Sequence, residues 1–236
     1  RIATFTEQQD IFIVTNQTQV PKMCTATEGR IAPNHILAEP SARNTSACIG
    51  YAALELVKKY GDGIMCIFPS DHFIKNEPEF TRVLKEAIQI AEEQDKLITL
   101  GITPTFPSTG YGYIKYIPED GTDMYKVERF VEKPDAERAL KYLHEGNYLW
   151  NSGMFVWRTS VLYEEYNKYA QDILETVEKY YKADNLLERD EIFASARAES
   201  VDVAILEKSD KIYTVIGDFG WDDAGSFAAL KRIGIT

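Results

Sequence analysis

The chain has 236 residues, with 26 Lys plus Arg against 37 Asp plus Glu, a formal net charge of −11. That length suits one domain or two small ones, and 44% hydrophobic with 27% charged residues is the composition of an ordinary soluble globular protein, not of a disordered chain. The acidic balance excludes a protein that holds DNA or RNA mainly through a basic surface, and leaves room for a small anion gripped by a few local cations.

Taken in chain order, Ile11 to Val14 is a short apolar run and reads as a strand buried on both faces, as in a parallel sheet. Ile36 to Ala38 is a second. The spacing of Cys48, Ile49, Ala52, Ala53, Leu56, Val57 and Tyr60 predicts a helix over 44–60, capped by Asn44 or Thr45 and stopped by Gly61. Ile64 to Phe68 is a buried strand that runs into Pro69-Ser70-Asp71-His72. A helix from Glu77 follows, with Asn76 as its cap and Phe80, Val83, Leu84, Ala87, Ile88 and Ala91 on its inner face. Leu97 to Gly101 is the next strand. Strands alternating with helices predict an α/β fold with a parallel sheet.

The middle changes character. Gly112–Ile117 and Tyr125–Val131 read as an antiparallel pair around an Asp120-Gly121 turn. Asp135 caps a short helix that ends at Gly146. Tyr148 to Trp157 is a long aromatic-rich strand, interrupted at Asn151-Ser152-Gly153. Residues 159–209 are mostly helical, Lys211–Ile216 is a last strand, Gly217–Gly225 a loop, and Ser226 starts a final helix. There are no repeats, linkers or low-complexity segments, so one mixed α/β domain over 1–236 is the expected organisation.

Cys24, Cys48 and Cys66 are odd in number and lack C-x-x-C spacing, which argues against a disulfide framework or zinc site and for reduced thiols in a cytoplasmic protein. The three His form no metal-binding spacing. No apolar run approaches the ~18–20 residues that a membrane helix requires.

Several segments carry chemistry, each beside a plainer reading. Asp71 lies just past the C-terminal end of a central strand, where open α/β sheets bind ligands, and a carboxylate there suits Mg²⁺; by itself it is a turn-capping Asp. Asp222 and Asp223 again put carboxylates between a strand and a helix, where one of them completes a metal pair or merely favours a helix start. Glu132 and Lys133 offer an acceptor for hydroxyls and a point charge for a phosphate, or form an ordinary surface pair. Glu39 precedes a helix N-terminus with free N–H groups, and its carboxylate matches the two-donor edge of guanine, which adenine lacks; the alternative is a Glu39–Arg43 salt bridge. Gly110 and Gly112 flank Tyr111 in a stretch where backbone can touch a ligand.

In order along the chain stand Glu39-Pro40…Arg43-Asn44-Thr45, Pro69-Ser70-Asp71-His72, Thr109-Gly110-Tyr111-Gly112-Tyr113-Ile114 and Val131-Glu132-Lys133-Pro134. Leu149-Trp150-Asn151-Ser152-Gly153-Met154-Phe155, Ser200-Val201-Asp202 and Trp221-Asp222-Asp223-Ala224-Gly225-Ser226 complete the series. It resembles the mannose-1-phosphate guanylyltransferases, a family of nucleotide-sugar pyrophosphorylases, over most of the chain.

The resemblance implies a Rossmann-like, mixed and mostly parallel sheet of the nucleotide-diphospho-sugar transferase type. It also implies conversion of GTP and mannose 1-phosphate to GDP-mannose and pyrophosphate with Mg²⁺ as cofactor. By position, Asp71 and Asp223 correspond to the metal ligands and Lys133 to the lysine on the sugar phosphate. Glu132, Asn151, Gly153 and the Gly112 backbone correspond to sugar-side contacts, and Glu39, Asn44 and Thr45 to the guanosine side. No nucleic acid or membrane is expected as partner, and self-association into a homo-oligomer is left open. Two departures stand out. Phe227 replaces a common Trp. The family's opening strand and Gly-rich phosphate loop, with its Arg and Lys, is missing, and about 30 further residues would be needed for it. The family's C-terminal extension is missing too. A relative acting on another sugar 1-phosphate or nucleotide, and a non-catalytic nucleotide-sugar regulator of the same fold, are the competing expectations; retention of Asp71, Asp223 and Lys133 favours catalysis.

Overall fold

The computed structural model describes residues 2, 5–119, 121, 123–225 and 227–234, with residues 227 and 228 described by backbone alone. Asp120 of the expected turn, Ser226 of the expected helix start and the Phe227 side chain lie outside the described residues. The chain folds as two compact units, one of Arg1–Asp62 with Tyr163–Lys208 and one of Gly63–Leu162 with Ser209–Thr236.

In the first unit, β1 (Ile13–Asn16) is followed by a seven-residue helix α1 (Val20–Ala26) that has a Pro in its first turn. β2 (Ile36–Glu39) pairs with β1 in parallel, Ile13 opposite Ile36 and Asn16 opposite Glu39. β1 is half-buried and exposed at its end, so the expectation of a strand covered on both faces fails: its only partner among the described residues is β2. The long helix α2 (Asn44–Tyr60) has the predicted bounds and stops at Gly61, where φ is +78°. Its buried residues Ala47, Ile49, Gly50, Tyr51 and Ala53 face the later helices.

The second unit begins with β3 (Ile64–Ile67) and β4 (His72–Ile74), then α3 (Glu77–Glu93), whose start is held by the Asn76 side chain accepting from the Glu79 N–H. Phe80, Val83, Leu84, Ala87 and Ala91 recur on one face of α3 and are buried. β5 (Leu97–Ile102) is buried throughout. β6 (Tyr113–Tyr116) and β7 (Met124–Val131) form the expected antiparallel excursion. Asp135 caps α4 (Ala136–Glu145) and Gly146 ends it at φ +75°, as the sequence indicates. β8 (Tyr148–Arg158) is one continuous 11-residue strand.

The chain then leaves for α5 (Thr159–Tyr169), α6 (Gln171–Lys182) and α7 (Leu186–Ala194), and a five-residue π-helix, Asp202–Leu206. In the first unit α6 packs on both α2 and α7, with the Tyr51 ring in contact with those of Tyr180, Tyr181 and Phe193. The chain returns to the second unit for β9 (Ile212–Gly217), β10 (Trp221–Asp223) and α8 (Phe227–Arg232).

The six-stranded sheet of the second unit has the order β3-β8-β5-β9-β7-β6. β5 and β9 pair in parallel, and the other neighbours are antiparallel. β3, β5, β6 and β9 therefore run one way and β7 and β8 the other, a mixed sheet. β8 changes partner along its length. Its first half pairs with β6, Tyr113 opposite Trp150, and its second half with β3, Ile67 opposite Phe155. β5 accompanies it on the other side, with a register slip between Thr99 and Gly101. The expected interruption at Asn151-Ser152-Gly153 is thus a bulge inside a continuous strand, with Gly153 at φ +66° and the Ser152 hydroxyl bonded to the Leu100 carbonyl.

The sequence pattern puts Asp71 after a central strand, yet β3 is the edge strand among the described residues. The loop expected over 217–225 also contains β10, which pairs antiparallel with β4, Asp223 opposite His72. Three-residue strands carry too little alternation to be seen in sequence.

Close packing at the centre of the sheet gives a direct test. A Cβ on Gly101 would sit 2.5 Å from the Leu149 Cδ1 and 2.7 Å from the Thr214 Oγ1, both side chains buried. Gly101→Ala is expected to lower unfolding stability by about 1–3 kcal/mol through overpacking. Gly63→Ala, whose Cβ would meet nothing within 4 Å, is expected to be neutral or slightly stabilising. Chemical denaturation midpoints of the two variants check this.

Candidate functional site

Asp71 and Asp223 reach one place from opposite strands of the β4–β10 ribbon: Asp71 immediately precedes β4, and Asp223 ends β10. Ligand atoms of Asp71, His72 and Asp223 all lie within 4.8 Å of one another. The Ala224 N–H donates to the Asp71 carbonyl at 3.1 Å and the Gly225 N–H to the Asp223 Oδ1 at 2.9 Å, so the turn after β10 is fastened to both acids. Gly225 leaves room beside both carboxylates. A Cβ on it would stand 3.0 Å from the Asp223 Oδ1 and 3.4 Å from the Asp71 Oδ2, inside the space the two carboxylates share.

His72 belongs to this cluster by distance and not by chemistry. The Trp221 indole N–H donates to its Nδ1 at 3.1 Å. An indole N–H only donates, so Nδ1 carries the lone pair and the neutral ring has its proton on Nε2. The ring then offers no lone pair to a cation, and the donor set reduces to two carboxylates. Oxygen donors alone suit a hard divalent cation such as Mg²⁺.

Asp222, the alternative to Asp223, is otherwise engaged. Its carboxylate takes the Arg232 Nε and Nη2 at 2.8 Å each, and accepts the Tyr111 hydroxyl at 3.2 Å. Burial, and next the Asp222 charge, push the Tyr111 hydroxyl up to about 12. Alternation along β10 sends neighbouring side chains to opposite faces, which separates Asp222 from Asp223.

The same unit brings together Gly112, Glu132, Lys133 and Asn151. The Asn151 N–H donates to the Gly112 carbonyl at 2.8 Å. A Cβ on Gly112 would lie 2.9 Å from the Glu132 Oε2 and 3.5 Å from the Asn151 Cβ, so a glycine is what admits the Glu132 carboxylate. The Asn151 Oδ1 accepts the Gly153 N–H at 3.1 Å. Gly153 lies against Pro69 on the Asp71 loop, where a Cβ would be 3.5 Å from the ring. The Lys133 ammonium is 3.3 Å from the Glu132 Oε1, both well exposed, so the surface-pair reading of these two residues holds in the ligand-free chain. Lys133 also has φ +37°, a conformation that costs a non-glycine residue about 1–3 kcal/mol.

Glu39, Asn44 and Thr45 lie in the first unit. Burial raises the Glu39 carboxyl above the usual carboxylate range, against a hydrogen bond with the Cys48 thiol that lowers it. The same burial, then the Glu39 charge, push Cys48 up to about 12. The Glu39 Oε1 is buried with no hydrogen-bond partner, and so is the Arg43 Nε. The Glu39–Arg43 salt bridge, the alternative reading of these two residues, is not formed among the described residues.

Two expectations at the start of α2 also change. Asn44, at φ +63°, does not cap further into the helix; its Oδ1 takes the adjacent Thr45 N–H at 2.8 Å. The Thr45 Oγ1 accepts the Val201 N–H at 2.9 Å, and the Ser46 N–H donates to the Glu199 carbonyl at 3.2 Å. The N–H groups of Thr45 and Ser46, expected to be free for an anion, are therefore occupied. The segment after Arg197, held by an ion pair with Asp172 at 2.8 Å, supplies these partners.

Sequence reasoning misses Trp221 and Arg232 as functional residues. Trp221 sits inside a recognisable motif, which is its available signal. Arg232 has none: Asp222 is on a separate element ten residues earlier, and Tyr111 is distant in sequence.

Comparison with known proteins gives concordant results. The family model described as nucleotidyl transferase matches residues 3–234. A xanthan biosynthesis protein, XanB, of Xanthomonas campestris pv. campestris (strain B100) is 43% identical over 208 residues, 86% of this chain and 44% of that protein. A mannose-1-phosphate guanylyltransferase of Klebsiella pneumoniae is 40% identical over 208 residues, 85% of this chain and 44% of that protein. A solved structure described as mannose-1-phosphate geranyltransferase from Thermus thermophilus superposes with a TM-score of 0.87 at 28% identity, over 98% of this chain and 66% of that one. The chain spans less than half the length of those two sequence relatives.

The His72 tautomer is open to measurement. Histidine ¹⁵N spectra are expected to show neutral His72 with its proton on Nε2. Trp221→Phe, which removes the indole donor, is expected to give a mixture of tautomers; an unchanged spectrum would show that the indole does not set the proton's place.

Proposed function

The chain belongs to the nucleotidyl transferase family, and from that premise we propose that it transfers a guanylyl group from GTP to mannose 1-phosphate, giving GDP-mannose and pyrophosphate. The observation that carries this reading is the meeting of Asp71 and Asp223, residues far apart in sequence, as an oxygen-only pair around the space kept open by Gly225. Relatives named mannose-1-phosphate guanylyltransferase, matching over most of the chain, support the guanylyl and mannose assignments.

The nucleophile is an oxygen of the sugar phosphate, already an anion, so no general base is required. A bond forms between that oxygen and the α-phosphorus of GTP as the bond to the β-phosphate oxygen breaks, and the electron pair leaves with pyrophosphate. The barrier is the approach of two anions in line, and the protein's contribution is positioning and charge neutralisation. Asp71 and Asp223 would hold Mg²⁺, which supplies neutralising charge at the transferring phosphate when bound.

Lys133 is assigned to the sugar phosphate. Its ion pair with Glu132 must open for that, and both side chains are exposed enough for the exchange to cost little. Glu132, once released, is a hydroxyl acceptor beside Gly112, Asn151 and Gly153, the group assigned to the sugar. Glu39, with its unpartnered buried Oε1, is assigned to the paired N–H donors of guanine, with Asn44 and Thr45 on the same nucleoside. No helix among the described residues is long and apolar enough to cross a membrane.

Asp223→Asn is expected to lower turnover by on the order of 100-fold or more, since the charge stabilisation at such a centre is worth several kcal/mol, with the unfolding midpoint retained. Pyrophosphate release with GTP and a panel of sugar 1-phosphates should show the highest kcat/KM for mannose 1-phosphate. Full activity of Asp223→Asn, or a clear preference for another sugar, would overturn the assignment.

A pH effect follows from Glu39. Its raised pKa means that folding favours the neutral form: that contribution to stability is full below the unfolded pKa and lost as pH rises through the raised folded pKa. Guanine recognition needs the charged form. The KM for GTP is therefore expected to climb as pH falls, starting above the ordinary carboxylate range near ~4.5. Glu39→Gln should flatten that profile and erode the preference for GTP over ATP.

A further inference from the structure

The geometry points to Arg232 as a positioning residue for the Asp71–Asp223 pair, acting through Asp222 and Tyr111. This rests on the reading of Asp71 and Asp223 as ligands of a divalent cation.

Three separate parts of the second unit meet at one guanidinium. From α8, Arg232 grips the Asp222 carboxylate through Nε and Nη2, both at 2.8 Å. The same Nη2 donates to the Tyr111 hydroxyl at 2.9 Å, and that hydroxyl donates in turn to Asp222 at 3.2 Å. The guanidinium also lies over the Phe106 ring at 5.1 Å. Asp222 is only 15% exposed in its side chain and Arg232 37%, so this is a partly desolvated, two-pronged pair and not a loose surface contact.

The ribbon that carries the acids needs such a brace. β4 and β10 pair over three residues each, and an isolated ribbon of that length is not stable alone. Asp222 is the middle residue of β10 and is peptide-bonded to Asp223. Fixing its side chain fixes the strand's rotation, and thereby the direction in which Asp223 points. The other end of the clamp is Tyr111, next to Gly112, whose backbone stands against Glu132 and Asn151. One guanidinium thus ties the strand of Asp223 to the glycine loop beside the group assigned to the sugar.

A second role for the same cation predicts the opposite effect, which makes the proposal decidable. As a mere counter-charge, Arg232 offsets one of three neighbouring acids, and its removal would leave the region more negative and tighten cation binding. As a brace, its removal lets Asp223 rotate away and weakens binding. Partners that orient a metal ligand typically change metal affinity or activity on the order of 10- to 100-fold when lost.

The test is Mn²⁺ binding to the purified protein, followed by electron paramagnetic resonance, with folding checked by unfolding midpoint. Arg232→Gln is expected to weaken Mn²⁺ on the order of 10- to 100-fold. Arg232→Lys is expected to recover little, because an ammonium restores the charge without the fork. Unchanged or tighter binding by folded Arg232→Gln, with binding abolished in Asp223→Asn, overturns the brace and leaves the metal reading standing. Unchanged binding in Asp223→Asn overturns both. Should Arg232→Gln not fold, Tyr111→Phe carries the test: about fivefold weaker binding, one hydrogen bond's worth, supports the brace, and wild-type binding overturns it.

Discussion

The second unit depends on one change of partner inside one strand. β8 gives its first half to β6 and its second half to β3, and the bulge at Asn151–Gly153 is where it turns from one to the other. With β5 on its far side, this closes the pairings into a ring, β8–β5–β9–β7–β6 and back to β8. The bulge puts its irregularity to functional use. Asn151 faces Gly112 on one side, and Gly153 lies against Pro69, which leads into Asp71, on the other. Only a residue without a Cβ adopts φ +66° there cheaply. Gly112 and the loop that leads into Asp71 are therefore set by the same three residues.

Charge is arranged locally against the sign of the whole. A chain of net charge −11 has no general attraction for phosphates. The cations near the acids are held in pairs instead: Lys133 by Glu132, Arg232 by Asp222. The two pairs differ in what releases them. The Lys133 pair is single-pronged and well exposed, so it is weakly held. The Arg232 pair is two-pronged, shared with a hydroxyl and partly desolvated, so it stays.

Much of this arrangement is legible in the sequence, and the reasons for the gaps are physical. Helices α2, α3 and α4 announce themselves through caps and apolar stripes, because Asn76, Asp135, Gly61 and Gly146 act on groups within a few residues. The convergence of Asp71 and Asp223 is available from their common context, a carboxylate placed after a strand. What escapes is what depends on distant partners. Whether Glu39 pairs with Arg43 is decided by burial around Glu39, and burial belongs to the fold. Whether α2 has free amides is decided by the carbonyl of Glu199, which nothing in the local sequence announces. The β4–β10 ribbon is too short for a periodic signal, although it carries both acids.

The same distinction explains why Asp223 and not Asp222 is the ligand candidate, a choice that sequence leaves to family resemblance. Two adjacent acids on a strand face opposite ways, so they have different neighbours by construction. One finds a guanidinium, and is neutralised. The other finds a second carboxylate, and two like charges held close are stable only with a cation between them or with the repulsion offset elsewhere. Among the described residues no side-chain cation is paired with Asp71 or Asp223. The backbone contacts of Ala224 and Gly225 hold the turn after Asp223 beside Asp71. On the proposed reading of Asp71 and Asp223 as ligands of a divalent cation, the clamp on Asp222 acts on the neighbouring residue of the same strand.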